Sequence, residues 1–315
     1  MTSFSQSRNN KFLYYLSGHF KRLYPKSLLR LDLDKLQRSI DSFDEDKMYS
    51  RLNYYNKINS KFALDESIEM IKEISGMHGT YSLDLMEYTR FFSQDNRLSY
   101  LFGDIVDVPS IPSVTKSRPV TDNDNSILMK FDKVRHFYFV NNDIPFKKKE
   151  NKLVWRGAAH QPHRKYFLQN FYNKSKLIDA GGFHKNPKND DLYQAPFLTI
   201  QQQLQSKFIL SIEGNDVATS TKWTMSSNSL CFMVKPKYET WLMEGRLIPG
   251  YHYVLLKDDY SDLEEKIEYY IDHEDEAENI IQNANLYINQ FKDNKSEDWL
   301  SLKVLEKYFK FSSQI

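Results

Sequence analysis

The sequence predicts an α/β protein with a helical N-terminal region, and three observations support this fold class. After a lysine-rich stretch at residues 147–152, short apolar runs alternate with helical segments, a pattern typical of layered α/β domains. In the first quarter of the chain, apolar residues recur at helical spacing instead. The 315 residues also suffice for two domains, and we place their boundary at the lysine-rich stretch, giving domains 1–150 and 151–315.

Composition excludes several classes of protein. The 43 Lys and Arg residues nearly balance the 42 Asp and Glu residues, so net charge does not favour nucleic acid as a partner. Apolar residues make up 40% of the chain, too many for a disordered protein, and charges interrupt them too often for a membrane span. Cys231 is the single cysteine, which excludes intrachain disulfides and cysteine zinc clusters. Residues 1–20 lack a signal-peptide pattern, and we expect a cytoplasmic protein.

The N-terminal half is predicted to contain helices followed by a less regular region. Residues 11–77 have helical spacing, with a break at the acidic turn 41–46. Residues 81–92 and 98–108 are rich in aromatic and β-branched side chains, and we expect them to supply strands. The prolines of residues 109–119 predict a loop rather than the interior of a sheet.

The C-terminal half is predicted as strands alternating with helices. Strands are expected where short apolar runs stand between turn signals, at 153–155, 176–180, 209–212, 230–234 and 252–256. Helices are expected where apolar residues follow helical spacing, at 164–172, from about 219, and at 262–271, 274–291 and 299–309.

Charge is distributed unevenly along the chain. Residues 1–60 contain 11 Lys and Arg against 6 Asp and Glu, whereas residues 258–298 contain 3 against 14. Both stretches can be solvated helix faces. In the basic stretch, Lys11, Lys21 and Arg22 are interleaved with aromatic residues, which also suits a helix lying on an anionic membrane surface. Both interpretations stay open.

Two segments of the C-terminal half are candidates for anion binding. Arg156 and Gly157 end a predicted strand, where open α/β sheets bind ligands, although an arginine in a structural ion pair fits equally well. Residues 212–223, IEGNDVATSTKW, predict a strand, a tight loop and a helix start. Backbone N–H groups at that start, nearby hydroxyls and Lys222 can hold an anion, but an ordinary helix cap also explains the hydroxyls.

A third segment, residues 249–254 with the sequence PGYHYV, carries His252. We interpret His252 as a structural histidine rather than a proton-transfer group. The glycine-rich loops of dinucleotide-binding proteins and of P-loop proteins are both absent from the sequence.

Taken in this order and spacing, the three segments resemble glycosyltransferase family 90. VWRG with Arg164 further on, EGNDVATSTKWTMSSNSL, and LIPGYHYVLLKDDYSDLEEKI cover most of residues 152–291, and the middle segment is most similar to the bacterial lipopolysaccharide branch. Upstream, residues 102–119, which include KSRP, and VRHF at residues 134–137 also resemble that branch. Residues 1–80 carry no motif of the family.

The resemblance implies a GT-B type fold, in which two Rossmann-like domains face a cleft. It implies an inverting, metal-independent enzyme without a cofactor, which moves a hexose from a UDP-sugar to a hydroxyl of a lipopolysaccharide core or another glycan. The lone cysteine and the missing signal peptide favour a cytoplasmic member, and the basic N-terminal region suits peripheral contact at the inner membrane. The residues that match the family's donor-binding segments are Arg156, Gly157, Arg164, Gly214, Val217, Ala218, Thr219, Ser220 and Lys222.

The resemblance also implies a catalytic base in the N-terminal domain. In the family this base is an aspartate in a short segment before a proline, and Asp104 matches that position best, with Asp107 as a substitute. A solvated loop carboxylate is the alternative. Lys222 stands where many members have arginine, so a point charge replaces a bidentate phosphate contact there.

Two other functions stay open at this point. A metal-dependent transferase would use a D-x-D pair, and that spacing occurs at residues 32–34, 44–46 and 122–124. A non-catalytic nucleotide- or glycan-binding protein would keep the fold without the base.

Overall fold

The structure is a computed structural model, and it describes most of the chain from residue 44 onwards. The described residues are 13–16, 18, 33–34, 44–74, 79–184 and 193–315. Most of the helices predicted between residues 11 and 43, including the basic residues Lys11, Lys21 and Arg22, therefore lie outside the described residues.

The chain folds into two compact units, and neither is a continuous half of the sequence. Unit 1 contains residues 1–138, 238–244 and 291–315, and unit 2 contains residues 139–237 and 245–290. The domain boundary at residue 150 stays a prediction, since these units are defined by packing alone. None of the helices in the described part of the chain is long and apolar enough to cross a membrane.

Unit 1 combines helices with short strands, numbered here in chain order over the described residues. Its helices are α1 (Glu45–Tyr55), α2 (Ile71–Ile74), α3 (Thr80–Thr89), α4 (Lys133–His136) and α10 (Asn294–Phe311). Its strands are β1 (Tyr100–Leu101), β2 (Ser113–Thr115), β3 (Ser117–Pro119), β4 (Ser126–Leu128) and β9 (Tyr238–Thr240). Strands β1, β2 and β4 form a parallel sheet with β2 in the middle, and β3 pairs antiparallel with β9.

Two expectations for unit 1 are wrong. Residues 81–92 form most of helix α3 rather than a strand, because Leu, Met and Glu favour a helix and outweigh the aromatic residues that suggested a strand. Residues 109–119 contain β2 and β3 rather than only a loop. Pro112 precedes β2 and Pro119 ends β3, so neither proline interrupts a strand. The break at the acidic turn 41–46 is confirmed where the structure describes it, since α1 begins there with Asp44 as its N-cap.

Fully buried ion pairs lie in the interior of unit 1. Glu297 accepts hydrogen bonds from Arg51 Nη2 at 2.5 Å and from Trp241 Nε1 at 2.7 Å, and Lys130 Nζ lies 2.9 Å from its carboxylate. These partners come from α10, α1, the end of β9 and the chain after β4. One carboxylate therefore joins segments that are far apart in sequence.

A second buried pair joins β3 to β9. Arg118, whose side chain is completely inaccessible to solvent, donates from Nε to Glu239 Oε1 at 2.8 Å. Its other nitrogens donate to the backbone carbonyls of Tyr54 and Ser126. Because Glu239 and the carbonyl of Ser126 are buried, removing the guanidinium would leave buried acceptors without this donor.

Unit 2 is a parallel α/β sheet with helices, which confirms the α/β prediction. Its strands are β5 (Glu150–Gly157), β6 (Ile178–Gly182), β7 (Ser206–Leu210), β8 (Leu230–Met233) and β10 (Val254–Leu255). Its helices are α5 (Pro162–Phe171), α6 (Ile200–Gln203), α7 (Ser220–Met225), α8 (Leu263–Asp272) and α9 (Glu274–Asn289). The strands are all parallel, in the order β10-β8-β7-β5-β6.

The core of unit 2 is apolar. Leu153 on β5, Phe208 on β7 and Phe232 on β8 are completely buried, and Ile267 and Ala277 of helices α8 and α9 belong to the same cluster. Burial of strands on both faces is typical of parallel sheets and explains why their sequences are continuous apolar runs. The strands and helices predicted within unit 2 are present, with ends that shift by at most three residues.

Strand β6 is shifted by two residues from the predicted strand at 176–180. Gly181 and Gly182 form its last two residues. A Cβ atom at Gly181 would lie only 2.1 Å from the Cβ atom of Ala195. The glycine therefore serves a close approach between the strand and the chain at Ala195, rather than a turn.

Candidate functional site

The parallel sheet of unit 2 has a topological switch point between β5 and β7. Strand β5 pairs with β6 on one side and with β7 on the other, so the chain first builds the sheet in one direction and then in the opposite one. Open α/β sheets bind ligands in the crevice that forms at such a point, outside the carboxyl ends of the strands. The loops that follow β5 and β7 are therefore the first place to look for a site.

Arg164 holds these two loops together. Its Nη1 donates to the carbonyl of Ala158 after β5 at 2.9 Å, while Nε and Nη2 donate to the carbonyls of Glu213 and Ile212 after β7, both at 2.8 Å. Burial lowers the pKa of Arg164, but a guanidinium remains charged in proteins. The arginine therefore joins the two loops through hydrogen bonds to three backbone carbonyls.

Close packing explains the two glycines next to Arg164 and its loops, Gly214 and Gly157. A Cβ atom at Gly214 would lie 3.3 Å from Arg164 Nη2, so the glycine leaves room for the guanidinium. A Cβ atom at Gly157 would lie 2.8 Å from Cζ2 of the Trp155 side chain. The structure thus explains both glycines without a ligand, and their contact with a nucleotide stays a prediction.

Two further side chains that sequence reasoning missed link the same loops. Gln161 Nε2 donates to Asn215 Oδ1 at 2.9 Å, and His163 Nε2 lies 2.8 Å from the carbonyl oxygen of Glu213. Both residues stand between Gly157 and Arg164 in the sequence. Their position in the loop after β5 is the signal that could have identified them, because that loop faces the one after β7.

Arg156 makes its contacts on the other side of β5. Its Nη2 lies 2.7 Å from Asp179 Oδ1 on β6, and Nε donates to the carbonyl of Pro196 at 3.1 Å. Nη1 donates to the carbonyls of Trp155 and Asp179. The structure does not join Arg156 to residues 212–223 by a hydrogen bond or ion pair among the described residues. The structural ion pair considered from the sequence is present.

The segment between β7 and α7 is only partly accessible. Val217 and Ala218 are buried, Thr219 is exposed and Ser220 is half-buried, with Ser220 Oγ 3.1 Å from Ser211 Oγ. Thr219 is the N-cap of α7, yet its side chain makes no capping hydrogen bond. The hydroxyl of Thr219 therefore faces solvent at the end of the crevice loop and can accept or donate to a ligand.

Lys222 lies in α7 and is completely buried. In this conformation its ammonium group cannot touch a ligand at the surface. Any effect of Lys222 on a bound anion would act through the protein interior, where charge interactions are screened less than in water.

The two candidate bases lie in unit 1 and have different surroundings. Asp104 forms an ion pair with the buried Lys116, and Arg135 Nη2 lies 3.5 Å from its Oδ1. Neighbouring positive charges favour the ionised form of a carboxylate, which is the form a base needs. Asp107 is exposed, and no hydrogen bond or ion pair holds it among the described residues. The structure therefore offers one carboxylate held by an ion pair and one exposed carboxylate.

The D-x-D segments have structural roles where they are described. Asp44 accepts a hydrogen bond from the backbone of Lys47 as the N-cap of α1, and Asn123 donates to the carbonyl of Pro119. Asp124 lies 3.6 Å from Lys57 Nζ. The segment at residues 32–34 falls partly outside the described residues. Over the residues that the structure describes, no three His, Cys, Asp or Glu side chains are grouped to hold a metal ion.

His252 is a structural residue, as expected. Its Nδ1 accepts a hydrogen bond from the backbone N–H of Ile248 at 2.9 Å, and its ring centroid lies 5.0 Å from that of Tyr287. Burial lowers the pKa of His252, which favours the neutral ring that this hydrogen bond requires. It lies before β10 rather than within a strand.

Comparison with known proteins agrees with the motifs. The sequence model described as Glycosyl transferase family 90 matches residues 129–314, which include both crevice loops but begin after Asp104 and Asp107. A curated protein called O-glucosyltransferase LpsA, from Dichelobacter nodosus, is 44% identical over 262 residues, which cover 82% of this chain and 82% of that protein. The resemblance seen in the sequence is confirmed, and the chain belongs to glycosyl transferase family 90.

Proposed function

We propose that this glycosyltransferase transfers a hexose from a UDP-sugar to a hydroxyl of a lipopolysaccharide core or another glycan, with inversion and without a metal ion. Glucose is the first candidate, because the relative from Dichelobacter nodosus is called an O-glucosyltransferase. The observation that carries the proposal is the switch point of unit 2, where the loops after β5 and β7 meet in a chain of this family. A GT-B arrangement and a cytoplasmic location belong to the same proposal.

The donor half of the reaction needs positive charge and hydrogen-bond donors at the diphosphate. When the bond between the sugar and the phosphate breaks, negative charge develops on the leaving UDP, and fixed donors lower the barrier. Thr219 and Ser220 can supply hydroxyls and backbone N–H groups at the crevice, and Lys222 supplies charge from beneath. Arg164 keeps the two loops at a fixed separation, so these donors need little rearrangement.

The acceptor half needs a base. The acceptor oxygen attacks the anomeric carbon on the face opposite to UDP, the bond from carbon to the phosphate oxygen breaks, and the acceptor's proton passes to a carboxylate. We propose Asp104 as the general base that accepts this proton, with Asp107 as the substitute. The ion pair with Lys116 holds Asp104 in a defined position.

The activity is tested by incubation with UDP-glucose, UDP-galactose and UDP-xylose, measuring UDP release and the anomeric configuration of the product by NMR. UDP release from one sugar, an inverted product and full turnover in excess chelator are expected. Turnover that is lost in chelator and restored by a divalent ion would favour the D-x-D alternative. Binding of UDP without any turnover would favour a nucleotide- or glycan-binding protein.

The donor assignment is tested by calorimetric titration with UDP. Replacing Lys222 with Ala should raise the dissociation constant about tenfold or more, because the buried positive charge next to the crevice loop is lost. Lys222→Arg keeps the charge and should bind UDP more tightly than Lys222→Ala. Lys235→Ala is the matched control, because Lys235 is an exposed lysine of the same unit. Equal affinity of the Lys222→Ala and control variants would remove Lys222 from the donor site.

The base assignment is tested by comparing Asp104→Asn with Asp107→Asn. The first variant should lose about 10²–10⁴-fold in turnover while its affinity for UDP stays within twofold of the unsubstituted protein, as expected for a lost general base. The second should stay active. The reverse pattern would assign the proton to Asp107, and two active variants would place the base elsewhere. Circular dichroism checks that loss of the partner of Lys116 leaves the fold intact.

A further inference from the structure

A short helical segment near the N-terminus packs against α3 with one face. Tyr14 Oη donates to Asp84 Oδ1 at 2.5 Å and lies 3.2 Å from the carbonyl oxygen of Thr80. A Cβ atom at Gly18 would lie 3.1 Å from Cδ2 of Leu83, so this residue also approaches α3 closely. Residues 14 and 18 are four apart, which places them on the same side of a helix.

The opposite face of this segment is apolar and exposed. Leu13 is 58% exposed, Leu16 is 42% exposed, and Tyr15 between them is also exposed. At about 100° per residue, Leu13 and Leu16 point away from the side that carries Tyr14 and Gly18. Isolated exposed apolar residues need no explanation, but here Leu13 and Leu16 are three positions apart and lie together on the outer side of one docked segment.

The sequence around this face has a single sign of charge. Residues 1–30 contain six Lys and Arg residues and no Asp or Glu, although the whole chain is nearly neutral. These six are Arg8, Lys11, Lys21, Arg22, Lys26 and Arg30. An apolar helix face within a purely basic segment is complementary to a lipid surface, which offers an apolar interior beneath negative headgroups.

We infer that the outer face of this segment, formed by Leu13 and Leu16, docks the protein on an anionic lipid surface, with both side chains entering the boundary between headgroups and acyl chains. The Lys and Arg residues of the first thirty positions add attraction to the headgroups. The hydrogen bond from Tyr14 to Asp84 fixes the segment on α3, so the apolar face is presented in a defined direction. The inference depends neither on the donor nor on the reaction, and its test needs no sugar.

The test is flotation of the full chain with vesicles, one set of pure phosphatidylcholine and one containing about 30% phosphatidylglycerol, a fraction typical of strongly anionic membranes. Binding to the anionic set alone is expected, with loss in about 0.5 M salt, where charges are screened. The double variant Leu13→Gln/Leu16→Gln should reduce partitioning at least about tenfold, because two apolar side chains no longer enter the lipid.

The matched control is Ile248→Gln/Leu286→Gln, which replaces two apolar residues of unit 2 that are 55% and 68% exposed. It should partition like the unsubstituted chain. Lys21→Glu/Arg22→Glu should weaken binding to anionic vesicles while keeping the apolar face. The inference is overturned by absence of binding, by equal binding to neutral vesicles, or by an equal effect of the control. Concentration-dependent dimerisation that Leu13→Gln/Leu16→Gln abolishes, without vesicle binding, would assign the face to a second copy instead.

Discussion

The two compact units both bury apolar side chains and differ in how buried charge is used. In unit 2, apolar side chains such as Leu153 fill the space between sheet and helices, beside a buried pair of Lys149 and Asp143 that are close in sequence. In unit 1, buried carboxylates join segments that are far apart in sequence, as Glu297 does with Arg51. The difference teaches that hydrophobic periodicity predicts the elements of a unit but not the buried ion pairs that connect them. We test it with four substitutions.

Replacing Glu297 with Ala should have the largest effect. It leaves Arg51 and Lys130 buried without their carboxylate, and breaking such a group costs about 3–5 kcal/mol of unfolding free energy. Urea unfolding followed by circular dichroism measures the change. Glu306→Ala is the control on the same helix, because Glu306 pairs with Lys303 near the surface and should cost less than about 1 kcal/mol. If both variants lowered the unfolding free energy equally, the buried ion pairs would not be a main source of the stability of unit 1.

In unit 2, Leu153→Ala should lower the unfolding free energy by about 2–5 kcal/mol, because it opens a cavity in the apolar core. The effect should be nearly independent of salt, unlike an effect on exposed charges. Leu286→Ala is the control, since that leucine is largely exposed. If Leu153→Ala lowered the unfolding free energy no more than Leu286→Ala does, unit 2 would not depend on apolar packing.

Asp84 makes unit 1 sensitive to pH. Burial raises the pKa of Asp84 to about 6, although Lys133 acts against the shift. The folded state therefore binds this proton more tightly than the unfolded chain, and the unfolding free energy should fall as pH rises from about 4 to about 6. Across that range Asp84 accounts for about 3 kcal/mol. Asp84→Asn should remove this part of the profile, measured by urea unfolding at several pH values; an unchanged profile would contradict it.

The smallest effect should come from the N-cap of α10. Asp293 accepts a hydrogen bond from the backbone N–H of Ser296 at 3.0 Å, and Asp293→Ala should cost about 1 kcal/mol. Asp293→Asn should retain most of the stability, because its side chain can still accept the bond. A cost equal to that of Glu297→Ala would mean that local capping, rather than the buried ion pair, dominates the contribution of this helix.

Most elements of unit 2 could be predicted from the sequence because each strand is an apolar run bounded by turn signals. The start of α10 could not be placed, because the apolar pattern begins at Trp299 whereas the helix begins at Asn294, after the cap at Asp293. In unit 1, the strands β1 to β4 have only two or three residues each, too few to establish a periodicity.

The candidate site could also be predicted from the sequence only in part. Family motifs pointed to the loops after β5 and β7, and the structure places these loops together at the switch point. The sequence did not show that Arg164 would bind backbone carbonyls, or that Arg156 would pair with Asp179. Partners of a guanidinium depend on which carbonyls and carboxylates the fold brings near, and residues far apart in sequence decide that.

The discontinuity of unit 1 has a consequence for protein synthesis. Arg51 and Glu297 are separated by 246 positions, and helix α10 packs on α1 and α3. At about 5–20 residues per second, a ribosome needs roughly ten to fifty seconds to make the chain between them. All of unit 2 is synthesised in that interval. The surfaces of α1 and α3 that α10 covers in the folded chain remain uncovered until then. Nascent chains stalled before residue 294 should therefore bind chaperones that recognise exposed apolar surface, and the released chain of 315 residues should not.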